Sequence, residues 1–176
     1  MKACFNKKTV VLTFAVLICV VFFASCGTKE KDHLAYQEYP IKAECVLSVG
    51  AEQYPFVLDV ASSASARLTF IGSRLEGCVI ELSADEALFV NDGYRIPLEL
   101  SQGAALRSIL SAFSLSSSDM IKVSEADGCL TVGYRLDELT VDVTLRGNIP
   151  SAMEMSCGGS SYALTFNNFT SGKRNP

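Results

Sequence analysis

From residue 41 onward, apolar and polar side chains alternate one by one in runs separated by short turns. Ile41, Ala43, Cys45, Leu47 and Val49 alternate with Lys42, Glu44, Val46 and Ser48. A period of two is the signature of a strand that buries one face and wets the other. After a turn at residues 50–53, Phe56, Leu58 and Val60 alternate with Val57, Asp59 and Ala61, and then Ala66, Leu68 and Phe70 with Arg67 and Thr69. A connection at residues 72–77 leads to Cys78, Ile80 and Leu82. Ala87, Leu88, Phe89 and Val90 run into Asn91-Asp92-Gly93, a strong hairpin signal. The return strand carries Tyr94, Ile96, Leu98 and Leu100 on one side, with Arg95 and Glu99 on the other. Six strands in a meander are predicted.

The period then changes. Ala105, Leu106, Ile109, Leu110 and Phe113 fall at helical spacing, which predicts one helix over residues 103–114 with an apolar stripe. Strands resume at residues 120–125, turn at Asp127-Gly128 and return over Cys129–Leu136. Leu139, Val141, Val143 and Leu145 form a very regular strand, followed by a turn at Gly147-Asn148. Met153, Met155 and Cys157 lead through Gly158-Gly159 to Tyr162, Leu164 and Phe166.

About eleven strands joined by tight turns are antiparallel neighbours, and a twisted sheet of that size curls rather than lying flat. The predicted fold class is mainly β with one or two short helices (α+β). Its architecture is a strongly curved antiparallel half-barrel with a helix over the concave face. A membrane-spanning barrel needs strands of ~9–11 residues with their apolar face turned to lipid. Most of these runs are shorter.

The N-terminus carries a different pattern. Lys2, Lys7 and Lys8 precede an apolar run at residues 10–24, and no acidic residue comes before Glu30. The run has the length of a secretory h-region and falls short of the ~20 residues a helical span requires. It closes on Phe23-Ala24-Ser25-Cys26, similar to the box at which a lipoprotein signal peptide is cleaved. There the thiol accepts a diacylglycerol and the new amino terminus can be acylated, so that two or more chains make a stable anchor. The expected organisation is a signal peptide at residues 1–25 and a lipidated Cys26 with a polar tether to residue 40. The domain follows at residues 41–170, with a disordered tail at residues 171–176. The expected location is extracytoplasmic, at a membrane.

Removing the three signal-peptide lysines leaves 12 basic against 19 acidic residues, a formal charge of −7. That excludes an electrostatic footprint for nucleic acid or anionic head groups, so membrane contact falls to the acyl chains. Four cysteines remain after Cys26: Cys45, Cys78, Cys129 and Cys157. Outside the cytoplasm an even number permits disulfides. Each falls on an apolar strand phase, however, which favours core thiols.

Reactive clusters are sparse. His33 is the single histidine and lies in the tether. The domain therefore offers no Ser-His-Asp or Cys-His pair. The cysteines are scattered without C-x-x-C spacing, and the glycines sit at turns rather than in a phosphate loop. Asp85-Glu86 and Asp137-Glu138 are acidic pairs at turns. No cofactor, metal or enzymatic activity is expected.

Residues 66–77 (ARLTFIGSRLEG), the Asn91-Asp92-Gly93 hairpin, residues 106–110 (LRSIL) and residues 162–169 (YALTFNNF) form a recognisable set. Through these stretches the chain resembles the family of LolA-like lipoproteins and lipoprotein localisation factors. The stretches lie within residues 41–169. The resemblance implies a half-barrel with helices over its concave side and, in some members, acyl chains or glycolipids in the hollow. Carriers of this family open with a substantial helix, whereas residues 27–40 leave room for a short one. That departure implies a shallower or filled hollow.

Phe56, Leu68, Phe70, Ile80, Leu88, Tyr94, Ile96, Leu106, Ile109, Leu110, Phe113, Met153, Met155, Leu164 and Phe166 are read as the inward phase. All but Leu88 are taken as candidate apolar-ligand lining. Phe and Met adapt to irregular apolar ligands without specific polar contacts. Two functions compete. In one, the hollow takes a lipid or acyl chain. In the other, the sheet is a scaffold for an envelope protein partner, presenting Arg67, Glu81, Arg95, Glu99, Asp142, Thr144, Arg146 and Glu154.

Overall fold

A computed structural model describes residues 33–72 and 74–172, and the side chains of residues 100–105 lie outside that description. The expected signal peptide, Cys26 and the first part of the expected tether lie outside it as well, as do residues 173–176. Eleven strands form one antiparallel sheet: β1 (Ile41–Val49), β2 (Glu52–Ser62), β3 (Ser65–Phe70), β4 (Val79–Ser83), β5 (Ala87–Asn91), β6 (Tyr94–Pro97), β7 (Met120–Ala126), β8 (Cys129–Leu136), β9 (Leu139–Arg146), β10 (Ile149–Cys157) and β11 (Ser160–Ser171). Their spatial order is β6-β5-β4-β3-β2-β1-β11-β10-β9-β8-β7. The first meander walks from the centre to one edge. The chain then crosses to the opposite edge, and the second meander walks back to pair β11 with β1.

Helix α1 (Leu100–Ser111) makes most of that crossing, followed by a single 3-10 turn at Ser117–Asp119. Because β6 and β7 are the two edges of the sheet, the connection has to traverse one face. The stripe Ile109, Leu110 and Phe113 places it on the apolar face, where all three are buried. The helix begins three residues earlier than its spacing predicts, and β6 stops at Pro97 rather than reaching Leu100. Past Pro97 the Leu98 N–H still donates to the Ala87 carbonyl at 2.9 Å, and the chain turns into the helix from there.

Curvature is measurable from a shared hollow. Ser63 and Ser83 line the same cavity of about 320 Å³ as Leu136 of β8. β4 and β8 are seven places apart in the strand order, ~34 Å in a flat sheet. Only a curled sheet brings them to one hollow. The half-barrel is open, because β6 and β7 pair with one neighbour each among the described strands.

Cross-strand partners share a face, so rows of them trace the inner surface. One row runs Ala43, Leu58, Leu68, Ile80, Phe89 and Ile96 from β1 to β6. Its counterpart runs Leu164, Met153, Val143, Val132 and Val123 from β11 to β7. Arg67 pairs with Asp59 and Glu81, and Glu81 with Leu88. That sets Leu88 on the outer face, half-buried, and corrects its inward assignment.

A bulge where β1 meets β11 changes the phase of the last strand. Lys42 faces Thr170 while Glu44 faces Asn167, so two residues of β11 oppose one of β1. Asn168 takes φ 50° there, and its amide donates to the Glu44 carboxylate at 2.9 Å. The extra residue lets Phe169, three positions after Phe166, pack against the Phe166 ring at 5.6 Å.

Leu34, Tyr36 and Tyr39 were expected in a solvated tether, yet they pack on the core, with Tyr36 in a 3-10 turn at Ala35–Gln37. Tyr36 meets Phe113 and Phe169 edge-on at 6.5 and 6.4 Å. The Tyr39 hydroxyl donates to the Phe113 carbonyl. Ser171 ends β11, and the Gly172 N–H donates to the Glu38 carbonyl at 2.6 Å. The start of the expected tail is therefore held. The described part of the lead-in contains a single short turn, in keeping with the short opening element anticipated.

All four domain cysteines are free thiols, Cys45 and Cys78 buried and Cys129 and Cys157 half-buried. Burial pushes the Cys45 thiol from 9.0 up to about 12 and raises the Tyr36 phenol too. Both groups are neutral in the folded chain. Their contribution to stability is fully present below their unfolded pKa values and is lost as pH climbs toward the folded ones. The Cys45 contribution should fade as pH rises from 9 toward about 12. Denaturant midpoints measured across that range should fall with pH, and Cys45→Val should flatten the slope. A thiol reagent at pH 8 should label Cys129 and Cys157 in the native chain and Cys45 only on unfolding. Equal labelling of Cys45 in the native chain would contradict its placement.

Candidate apolar trough

The inner face is covered at its centre and bare at both rims. Phe56, Leu68, Phe70, Ile80, Ile109, Leu110, Phe113, Met153, Met155, Leu164 and Phe166 are all buried. Among the expected lining residues these eleven pack into one core, with Leu106 half-buried against it. Tyr94 and Ile96 depart from that group. They keep the inward phase but are 75% and 54% exposed, because they lie on the edge strand β6 beyond the cover of the helix. α1 touches β4, β5 and β10. Phe89 and Leu98, half-buried beside Ile96, extend the same apolar strip.

The opposite rim repeats this arrangement. Val123, Met120 and Ile121 on β7 are 48%, 41% and 48% exposed. Leu98 shares the side of Tyr94 and Ile96 in the alternation but is not among the expected lining residues, and neither are Phe89 and these three β7 residues, although Phe89 and Val123 continue inward rows. Their exposure comes from position in the strand order, which alternation does not encode.

The 320 Å³ hollow opens where the end of α1 meets the β2–β3 and β4–β5 turns and the end of β8. Ser63, Ser83, Ser111, Ser114 and Arg107 give it polar walls, and Leu110 and Leu136 an apolar side. Arg107 Nη1 donates to the Asp85 carbonyl at 3.2 Å. Ser114 donates to the Ser63 carbonyl at 3.2 Å, which ties the end of the lid to the β2–β3 turn.

The outer face carries paired charge. Lys42–Asp59, Arg95–Glu81 and Lys122–Asp142 are ion pairs at 2.9, 2.6 and 2.8 Å. Exposed pairs of this kind contribute ~0–1 kcal/mol each. Asp142 Oδ1 is buried without a partner. Gly133 lies under this pair, and a side chain there would meet Lys122 and Asp142 within 2.7 Å. That explains a glycine inside β8. A second depression, about 360 Å³, lies among Arg67, Glu81, Glu86, Leu88 and Arg95. Among the described residues, no three His, Cys, Asp or Glu side chains converge as a metal site would require.

Fold and trough together define an open antiparallel half-barrel with a lid helix. Solved structures of three bacterial proteins are similar to this chain at low identity. A LolA superfamily protein from Nitrosomonas europaea matches at 10% identity and TM-score 0.40, over 83% of this chain and 93% of its own. LprF from Mycobacterium bovis matches at 8% identity and TM-score 0.40, over 84% and 93%. The lipoprotein LppX from Mycobacterium tuberculosis matches at 10% identity and TM-score 0.39, over 84% and 100%. No family model matches the sequence, and neither does any curated protein.

Proposed function

We propose that the chain is an extracytoplasmic lipoprotein, anchored through acylated Cys26, that binds an acyl chain on its inner apolar face. The observation carrying this reading is the strip of Phe89, Ile96, Leu98 and Leu106. It continues the core rows of the half-barrel yet stands partly open to water beside α1. Water-exposed apolar surface continuous with a core gains ~25 cal/mol per Å² when a ligand covers it. No polar group in that strip demands a specific partner, which suits a flexible hydrocarbon.

A second reading rests on the other rim. Met120, Ile121 and Val123 lie on β7, an edge strand with free backbone groups, and would suit an envelope protein that adds a strand there.

Lipid extraction and mass spectrometry of the full chain, purified from membranes, test the first reading. A stoichiometric lipid beyond the Cys26 modification is expected. Ile96→Glu should lower its occupancy about tenfold, with unfolding free energy within ~0.5 kcal/mol of the parent because the site is exposed. Radiolabelled palmitate should enter the chain at Cys26 and be lost in Cys26→Ser. Absence of any co-purified lipid would remove the binding proposal, and persistent label in Cys26→Ser the anchoring one.

A further inference from the structure

The hollow at the end of α1 has a charge character that the apolar strip lacks. Arg107 is half-buried on its wall, and among the described residues its guanidinium donates to the Asp85 carbonyl. Among the described residues that line the hollow, none is acidic. Among the described residues no carboxylate lies within ion-pair distance of Arg107, in contrast to Arg95 and Lys122, which are paired. The hydroxyls of Ser63 and Ser111 lie on the same walls. A guanidinium without an ionic partner beside hydroxyl donors is a receptor for an oxyanion, whose two or three oxygens match the planar fork.

The other wall is apolar. Leu110 and Leu136 face the hollow, and Leu110 lies one helical turn from Leu106. The helix stripe therefore runs from the polar hollow to the strip at the β5–β6 rim. We infer that the ligand is an anionic amphiphile, its carboxylate or phosphate head held by Arg107 with Ser63 and Ser111. Its hydrocarbon leaves the hollow by the Leu136 side and runs toward the half-buried Leu106. This rests on the acyl-binding reading and specifies its ligand class: neutral lipids of the same chain length bind less well.

The test is site-resolved photolabelling of the full chain in phosphatidylcholine membranes. The probes are diazirine-bearing palmitic acid, the corresponding diazirine alcohol, and a diazirine alkyl phosphate. Crosslinked peptides are then mapped. Both anionic probes should label the peptides that contain Leu106, Leu110 or Leu136 about tenfold more than the alcohol does. Arg107→Gln should reduce acid and phosphate labelling to the level of the alcohol, and Arg107→Lys should retain the preference. Excess inorganic phosphate should compete weakly, since it has no tail. Equal labelling by acid and alcohol in the parent chain, or an unchanged preference in Arg107→Gln, would overturn the anionic head while leaving acyl binding intact. Failure of all three probes to label the inner face would overturn both.

Discussion

Phe113→Ala should lower the unfolding free energy by about 3–5 kcal/mol, the largest single loss expected from truncating one side chain in this core. Phe113 follows α1 directly and is fully buried. Its ring meets Tyr36 at 6.5 Å and Phe166 at 6.0 Å, both edge-on, and its carbonyl accepts the Tyr39 hydroxyl. One residue therefore joins the lid helix, the N-terminal lead-in and the last strand. Removing the ring leaves a cavity that three separate elements must close, and aromatic contacts worth ~0.5–1.5 kcal/mol each beyond area burial are lost with it. Chemical denaturation followed by far- and near-ultraviolet dichroism measures the effect. A loss below about 1 kcal/mol would mean that the lid is not packed as described.

A larger effect is expected from placing charge on the inner face. Met153 is fully buried between its cross-strand partners Val143 and Leu164. Met153→Asp puts a carboxylate among side chains that offer it no hydrogen bond. The group must protonate or the fold must open, and a loss beyond about 5 kcal/mol should abolish cooperative folding at neutral pH. The next residue provides the control. Glu154 points to the outer face, opposite Asp142 and Ala163, and is exposed. Glu154→Ala should stay within ~0.5 kcal/mol of the parent and relieve a like-charge neighbour. Dichroism and size-exclusion profiles of the two variants should separate sharply. Equal tolerance at 153 and 154 would mean that the two faces are not distinguished.

Most of the architecture was legible because alternation is a local signal. The runs at Ile41–Val49 and Leu139–Arg146 are strands with the expected faces, and Asn91-Asp92-Gly93 turns between β5 and β6. Cys129–Leu136 is a strand too, but Cys129 pairs with Arg146 on the outer face, which corrects its assignment to the apolar phase. Less was legible where the phase slips or an element is short. Phe169 reaches the aromatic cluster through the bulge at Asn168, and a one-residue slip is invisible to a period-two reading. Tyr36 sits in a polar stretch too short to show a period, yet the core takes it in because the end of β11 and Phe113 leave it an apolar seat. The candidate site divided in the same way. Its apolar positions were identified by phase, while Arg107 was passed over as one more polar residue of a helix.

What the sequence determined by itself, at most strand positions, is which side chains point inward and which outward, because strand geometry and chirality act between neighbouring residues; Leu88 and Phe169 are exceptions. Which inward side chains are covered was decided by the tertiary structure alone. Ile80 and Ile96 belong to one row, but the first is buried under the lid side and the second stands at the rim. Coverage depends on the path of α1 from one edge of the sheet to the other and on the curl that brings Leu136 to the same hollow as Ser63. Both arise from contacts between residues far apart in the chain, where no local periodicity reaches.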